Sequence, residues 1–171
     1  MSFFSVPNIL IATGYDYTDI GKSEIINILG DELTCSNFED YPNVVEGAVG
    51  ASLESTPVIC GGYIANSLGK LTDKCYAYID GKWQEFATMT EGRAYAAAIV
   101  YEDSLHIFGG QGQSGEDQIL LESTEIVHAD GTVTVGVDLP GTLAFHAITF
   151  VNETVSILTG GNQGSKYLHT T

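Results

Sequence analysis

The sequence predicts an all-β chain in which a four-stranded antiparallel unit recurs along 171 residues. Three observations predict it. A short apolar run that stops on glycine occurs four times, at residues 9–14, 56–62, 104–110 and 155–161. From Gly14 to Gly62, Gly62 to Gly110 and Gly110 to Gly161 the intervals are 48, 48 and 51 residues, and a fixed period of this size marks a repeat architecture. Third, the position three places before the last glycine is Ile11, Ile59, Ile107 or Leu158. An aliphatic residue at one phase in every copy faces a core.

Each unit reads in the same order. A β-type segment opens it, at 44–53, 93–101 and 144–151. A polar turn follows, carrying Glu54, Glu102 or Glu153, and a solvated carboxylate is harmless in such a hairpin connection. The glycine-ended run is the second strand. Behind the glycines the expectation is a variable polar loop, at 15–22, 63–72 and 111–117. A third strand is expected at 23–29, 74–79 and 122–128. Gly30-Asp31, Asp80-Gly81 and Asp130-Gly131 mark the next turn. The fourth strand falls at 33–40, 83–88 and 133–138, with Pro42 and Pro140 shortly after two of the copies. Four strands in about 50 residues is the repeat length of a propeller blade.

These residues resemble the kelch repeat, whose mark is an apolar strand ending in Gly-Gly, then a Tyr and a Trp at set distances. The fullest copy has Gly61-Gly62, Tyr76 or Tyr78, and Trp83. The next keeps Gly109-Gly110 but has Ile126-Val127-His128 at the Tyr place and no Trp. The first keeps Gly14 alone and has Phe38 for the Trp; the last has Gly160-Gly161 and Tyr167. The resemblance implies a partial kelch-type β-propeller of four-stranded antiparallel blades. Two complete blades, 44–92 and 93–143, would be flanked by incomplete ones at 1–43 and 144–171. The outer faces of the end blades would then be apolar and need further blades or self-association to cover them.

Six Lys and Arg against 22 Asp and Glu give a net charge of −16, a field that repels nucleic acid and anionic membrane surfaces. It suits a basic partner, or simply a solvated surface. No apolar run approaches the ~18 residues of a membrane-spanning helix. The start, Met1-Ser-Phe-Phe-Ser-Val-Pro-Asn8, lacks a basic n-region and reads as no signal peptide. The Asn152-Glu-Thr154 sequon leans toward an extracellular parent chain.

Cys60 and Cys75 fall near the facing ends of neighbouring strands, within reach of a bond. The reading leans to a disulfide, with two buried thiols as the alternative and Cys35 as a competing partner. The glycine pairs follow strands with no helix behind them, so they serve positive φ or close strand approach rather than phosphate. His106, His128, His146 and His169 lie on different strands without metal-ligand spacing. Trp83, Tyr76 and Tyr78 are expected to pack one blade on the next.

The function expected of this pattern is protein interaction through the rim loops, with Asp16, Asp19, Asn66, Glu116 and Asp117 as partner-binding residues and no cofactor. An alternative is the propeller part of a galactose-oxidase-like copper or carbohydrate-active enzyme. That enzyme holds its copper with Tyr and His and carries a Tyr–Cys crosslink; no segment here matches, and no residue is carried over. A second alternative is a structural extracellular repeat. No Gly-x-Ser-x-Gly elbow supports nucleophilic catalysis.

Overall fold

The computed structural model describes residues 8–16, 18–29, 32–65, 69–152 and 155–164. Among these there is no helix, and every strand pair is antiparallel. β1 (Asn8–Asp16), β2 (Thr18–Leu29) and β3 (Glu32–Phe38) form a three-stranded sheet. β4 (Val45–Glu46) leads into β5 (Val49–Leu53) and β6 (Thr56–Cys60). β7 (Tyr63–Ile64) pairs back with β4. β8 (Lys74–Ile79) and β9 (Lys82–Thr88) complete a sheet of order β5-β6-β8-β9.

The next sheet repeats that order. β10 (Ala97–Tyr101) and β11 (Ser104–Phe108) are followed by a separate hairpin, β12 (Gln111–Ser114) with β13 (Asp117–Leu120). β14 (Thr124–His128) and β15 (Val133–Val135) then finish the sheet β10-β11-β14-β15. β16 (Ala144–Asn152) and β17 (Val155–Asn162) form the last hairpin.

The turns are built as the strand twist demands. Glu54-Ser55 has φ of 45° and 73°, and Glu102-Asp103 has 47° and 54°. Two successive positive φ values make the two-residue turn whose twist matches the flanking strands. Glu153, the third carboxylate at this phase, lies outside the described residues.

The inner strand β6 of the middle sheet is covered on both faces, which explains its near-continuous apolar run. Val58 and Ile59 are neighbours on β6, so they point to opposite sides. Val58 joins Leu105, Ile107 and Val127 in one buried cluster. Ile59 joins Tyr41, Val45 and Trp83 in another, against Leu10, Ala12 and Phe38 of the first sheet. Burying each large aliphatic contributes about 1.5–3 kcal/mol. Of the four expected core positions, Ile59 and Ile107 are buried and Leu158 is half-buried; the side chain of Ile11 lies outside the described residues.

Trp83 packs as expected. It is 8% exposed, meets Tyr41 edge-on at 5.1 Å and Tyr78 at 5.4 Å, and donates its ring N–H to the carbonyl of Glu39 at 3.0 Å. It thereby ties the second sheet to the first.

Two of the segments expected as polar loops are largely paired strand, and the third, 63–72, is strand only at its start. Residues 15–16 end β1 and 18–22 open β2, and these strands pair Asp16 with Thr18 and Tyr15 with Asp19. Residues 111–117 lie within the hairpin of β12 and β13, and 63–64 is strand β7. The reason is that backbone pairing across a tight turn needs no apolar alternation, so a polar strand and a loop look alike in sequence.

Candidate functional site

Two of the glycine pairs, Gly61-Gly62 and Gly109-Gly110, work as joints between sheets. Gly61 and Gly62 have φ of 71° and 107°, Gly109 and Gly110 59° and 103°, Gly160 and Gly161 70° and 101°. The Gly62 N–H donates to the Arg93 carbonyl at 2.8 Å, and the Gly110 N–H to the Leu143 carbonyl at 2.8 Å. A Cβ on Gly61 or Gly109 would collide with those same carbonyl oxygens. In the first copy Thr13 adopts the left-handed conformation, φ 59°, beside Gly14. Its hydroxyl donates to the Val45 carbonyl at 2.8 Å and accepts from the Val45 N–H at 2.9 Å.

Next to these joints runs a second repeated row, Gly47, Tyr95 and Phe145, with φ of 66°, 54° and 58°. The Tyr95 N–H donates to the Gly47 carbonyl at 2.7 Å, and the Phe145 N–H to the Tyr95 carbonyl at 2.9 Å. The rings of Tyr95 and Phe145 stack at 4.4 Å and 25°. Tyr63 reaches Tyr95 at 5.7 Å and donates its hydroxyl to Oε1 of Gln111 at 3.2 Å. Tyr63 and Gln111 are each the residue directly after a glycine pair. A Cβ on Gly47 would collide with the Tyr95 ring, so glycine there makes room for it.

Glu46 completes the group. Burial, then the Glu46 charge and a hydrogen bond to it, push the Tyr95 phenol up to about 12. Burial and the same carboxylate raise Tyr63. The result is three aromatic rings and a carboxylate at one end of the sheets, with Phe145 51% exposed.

Arg93, two residues before Tyr95, makes a buried ion pair that sequence reasoning missed. Arg93 and Glu125 are each 1% exposed and meet at 2.7 Å. Arg93 Nη1 also donates to the carbonyls of Gly109 and Ser123 at 2.9 and 3.0 Å. Glu125 Oε2 accepts the Thr90 N–H at 2.7 Å. The available signal was composition: Arg93 is the chain's single arginine, set before an alanine-rich strand. Its role is to hold carbonyls of adjacent segments together.

The partner-binding residues named from sequence are not brought together as one loop surface. Asp16 and Asp19 lie on paired strands. Asn66 lies outside the described residues. Glu116 and Asp117 are exposed at the turn of the β12–β13 hairpin. That hairpin neighbours the segment after β7, since a Cβ on Gly69 would lie 4.0 Å from the Gln118 side-chain amide. Cys60 and Cys75 pair in register and form a disulfide; Cys35 is a free, exposed thiol. His128 bonds Ser104 and Thr134, His146 is buried in β16, and His169 lies outside the described residues. Among the described residues, no three His, Cys, Asp or Glu converge as metal ligands.

No family model matches the chain, and no curated protein matches it. Among solved structures, the chain is similar to that of a protein designated YjhT, with a TM-score of 0.70 and 12% identity. The match covers 82% of this chain and 52% of that one, so the chain spans about half the length of YjhT. At this identity the likeness concerns the fold alone.

Proposed function

We propose that the chain is an arc of a kelch-type β-propeller and works as a protein-interaction module, binding a basic partner at its rim hairpins. The observation that carries this reading is the recurrence of one joint in step with the glycine pairs: Gly62 to Arg93, then Gly110 to Leu143. Two four-stranded sheets of the same strand order sit on either side of it. The Cys60–Cys75 disulfide favours an oxidising compartment, and so an extracellular module.

The rim in this reading is the β12–β13 hairpin, which carries Glu116 and Asp117 at its turn. The net charge of −16 attracts a cationic partner and accelerates its approach, more so at low salt. A panel of basic, neutral and acidic peptides tests it. Basic peptides should bind, binding should weaken with added salt, and Glu116→Lys with Asp117→Lys should lower it. Equal binding across the panel would remove the reading.

A further inference from the structure

Tyr95 and Phe145 carry a backbone cost that the sheet-to-sheet bonds impose on this position and that a glycine would avoid. Among the described non-glycine residues at positive φ, they are the bulky aromatic ones; the others are Thr13, Glu54, Ser55, Asp80, Glu102 and Asp103. At the equivalent place in the preceding unit stands Gly47, for which this conformation is free. An aromatic residue there costs about 1 kcal/mol or more. Burial offsets little of this at Phe145, which stays 51% exposed. Strain kept at large, half-exposed side chains marks positions where the side chain is needed in place.

What is held in place is a set of π-faces beside a negative charge. Tyr63, Tyr95 and Phe145 run ring to ring at 5.7 and 4.4 Å. Glu46 stands directly across the β4–β7 pairing from Tyr63, and its carboxylate acts electrostatically on both tyrosines. Aromatic faces and a carboxylate attract the same kind of group, a weakly hydrated organic cation. An anionic ligand is disfavoured here by Glu46 and by the charge of the whole chain, −16. We infer that Tyr95 and Phe145, backed by the buried Tyr63 ring and with Glu46 beside them, form a binding site for an organic cation, an alkylammonium or guanidinium group. The inference deepens the basic-partner reading, on which it rests only for the source of the cation: a free small molecule, or the Lys or Arg side chain of a protein.

The test is a titration of the whole chain with tetramethylammonium chloride, followed by aromatic proton–carbon NMR at constant ionic strength. Neopentyl alcohol serves as the neutral control of like shape. Saturable shifts on the rings of Tyr95 and Phe145 with the cation, and not with the alcohol, are expected. Phe145→Ala and Glu46→Gln should each weaken binding about tenfold. Circular dichroism and the unshifted Trp83 signal show that these variants remain folded. No saturable shift with either tetramethylammonium or guanidinium overturns the site. Equal shifts with the alcohol overturn its preference for charge. Oligolysine and oligoarginine form a separate arm. Should they fail to bind while tetramethylammonium binds, the site stands with a small-molecule ligand, and the protein-partner reading falls.

Discussion

Arg93 carries the interior charge balance. Removing it leaves Glu125 buried at 1% exposure without its cation, and breaking such a pair costs about 3–5 kcal/mol. Arg93→Met should therefore lower the unfolding free energy by that order in a urea titration. A loss under ~1 kcal/mol would mean that water reaches the carboxylate. Glycines allow a sharper comparison. Gly81 and Gly109 both have positive φ, but a Cβ on Gly81 meets nothing within 4 Å, while one on Gly109 meets a backbone carbonyl. Gly81→Ala should cost about 1 kcal/mol from φ alone. Gly109→Ala should cost more, because the Leu143 carbonyl must shift and its bond from Gly110 with it. Equal losses by thermal unfolding would refute the joint. The glycine pairs were legible in sequence because they recur; Arg93 and Glu125 were not, because each occurs once and their meeting spans 32 residues.

At the scale of elements, β6 and β8 are held by the Cys60–Cys75 bond across a separation of 15 residues. Cross-linking a loop of that length contributes about 3 kcal/mol through the unfolded chain. Reduction should add the mass of two hydrogens for that bond and lower the melting temperature. An unchanged mass after reduction would show two free thiols. The joint between β11 and the β16–β17 hairpin is set to respond to acid. Burial lowers the pKa of His106 on β11 and of His146 on β16 below the ordinary 6.5. The unfolded chain then binds more protons than the folded one in mild acid, so stability rises with pH. The contribution is intact above about pH 6.5, starts to fall as the unfolded histidines protonate there, and is lost as pH drops through the lower folded values. Melting temperature should drop between about pH 7.5 and 5.5, and the drop should flatten in a His106→Gln, His146→Gln variant. An equal drop in that variant would place the sensitivity elsewhere. Strand order was readable from alternation and turn residues, whereas the polar hairpins were read as loops, since their pairing lies in the backbone.

At the scale of the whole chain, the two end sheets each leave an apolar residue open. The position four before the last glycine is Leu10, Val58, His106 and Ile157. Val58 is buried among residues of the following sheet, and His106 lines a crevice of about 400 Å³ against Ile148 and Leu158. Ile157 has no described sheet beyond it and is 49% exposed; on the first sheet Ile9 is also 49% exposed. We expect the chain to self-associate through these faces. Association should strengthen with salt, which screens the self-repulsion of −16 charges, and Ile157→Lys should weaken it. A sedimentation profile of monomer at every concentration and salt would count against that.

The amino-acid order carried the β class, the period near fifty, the core phase and the disulfide pair, because each follows from neighbours along one strand or from a regular interval. The Tyr63–Tyr95–Phe145 group was settled only in three dimensions. Its members come from different repeats, and what aims them is a left-handed backbone at Tyr95 and Phe145 that no aromatic residue prefers. A run of letters states preferences; here the packing of successive sheets overrode them, and the site formed where it did so.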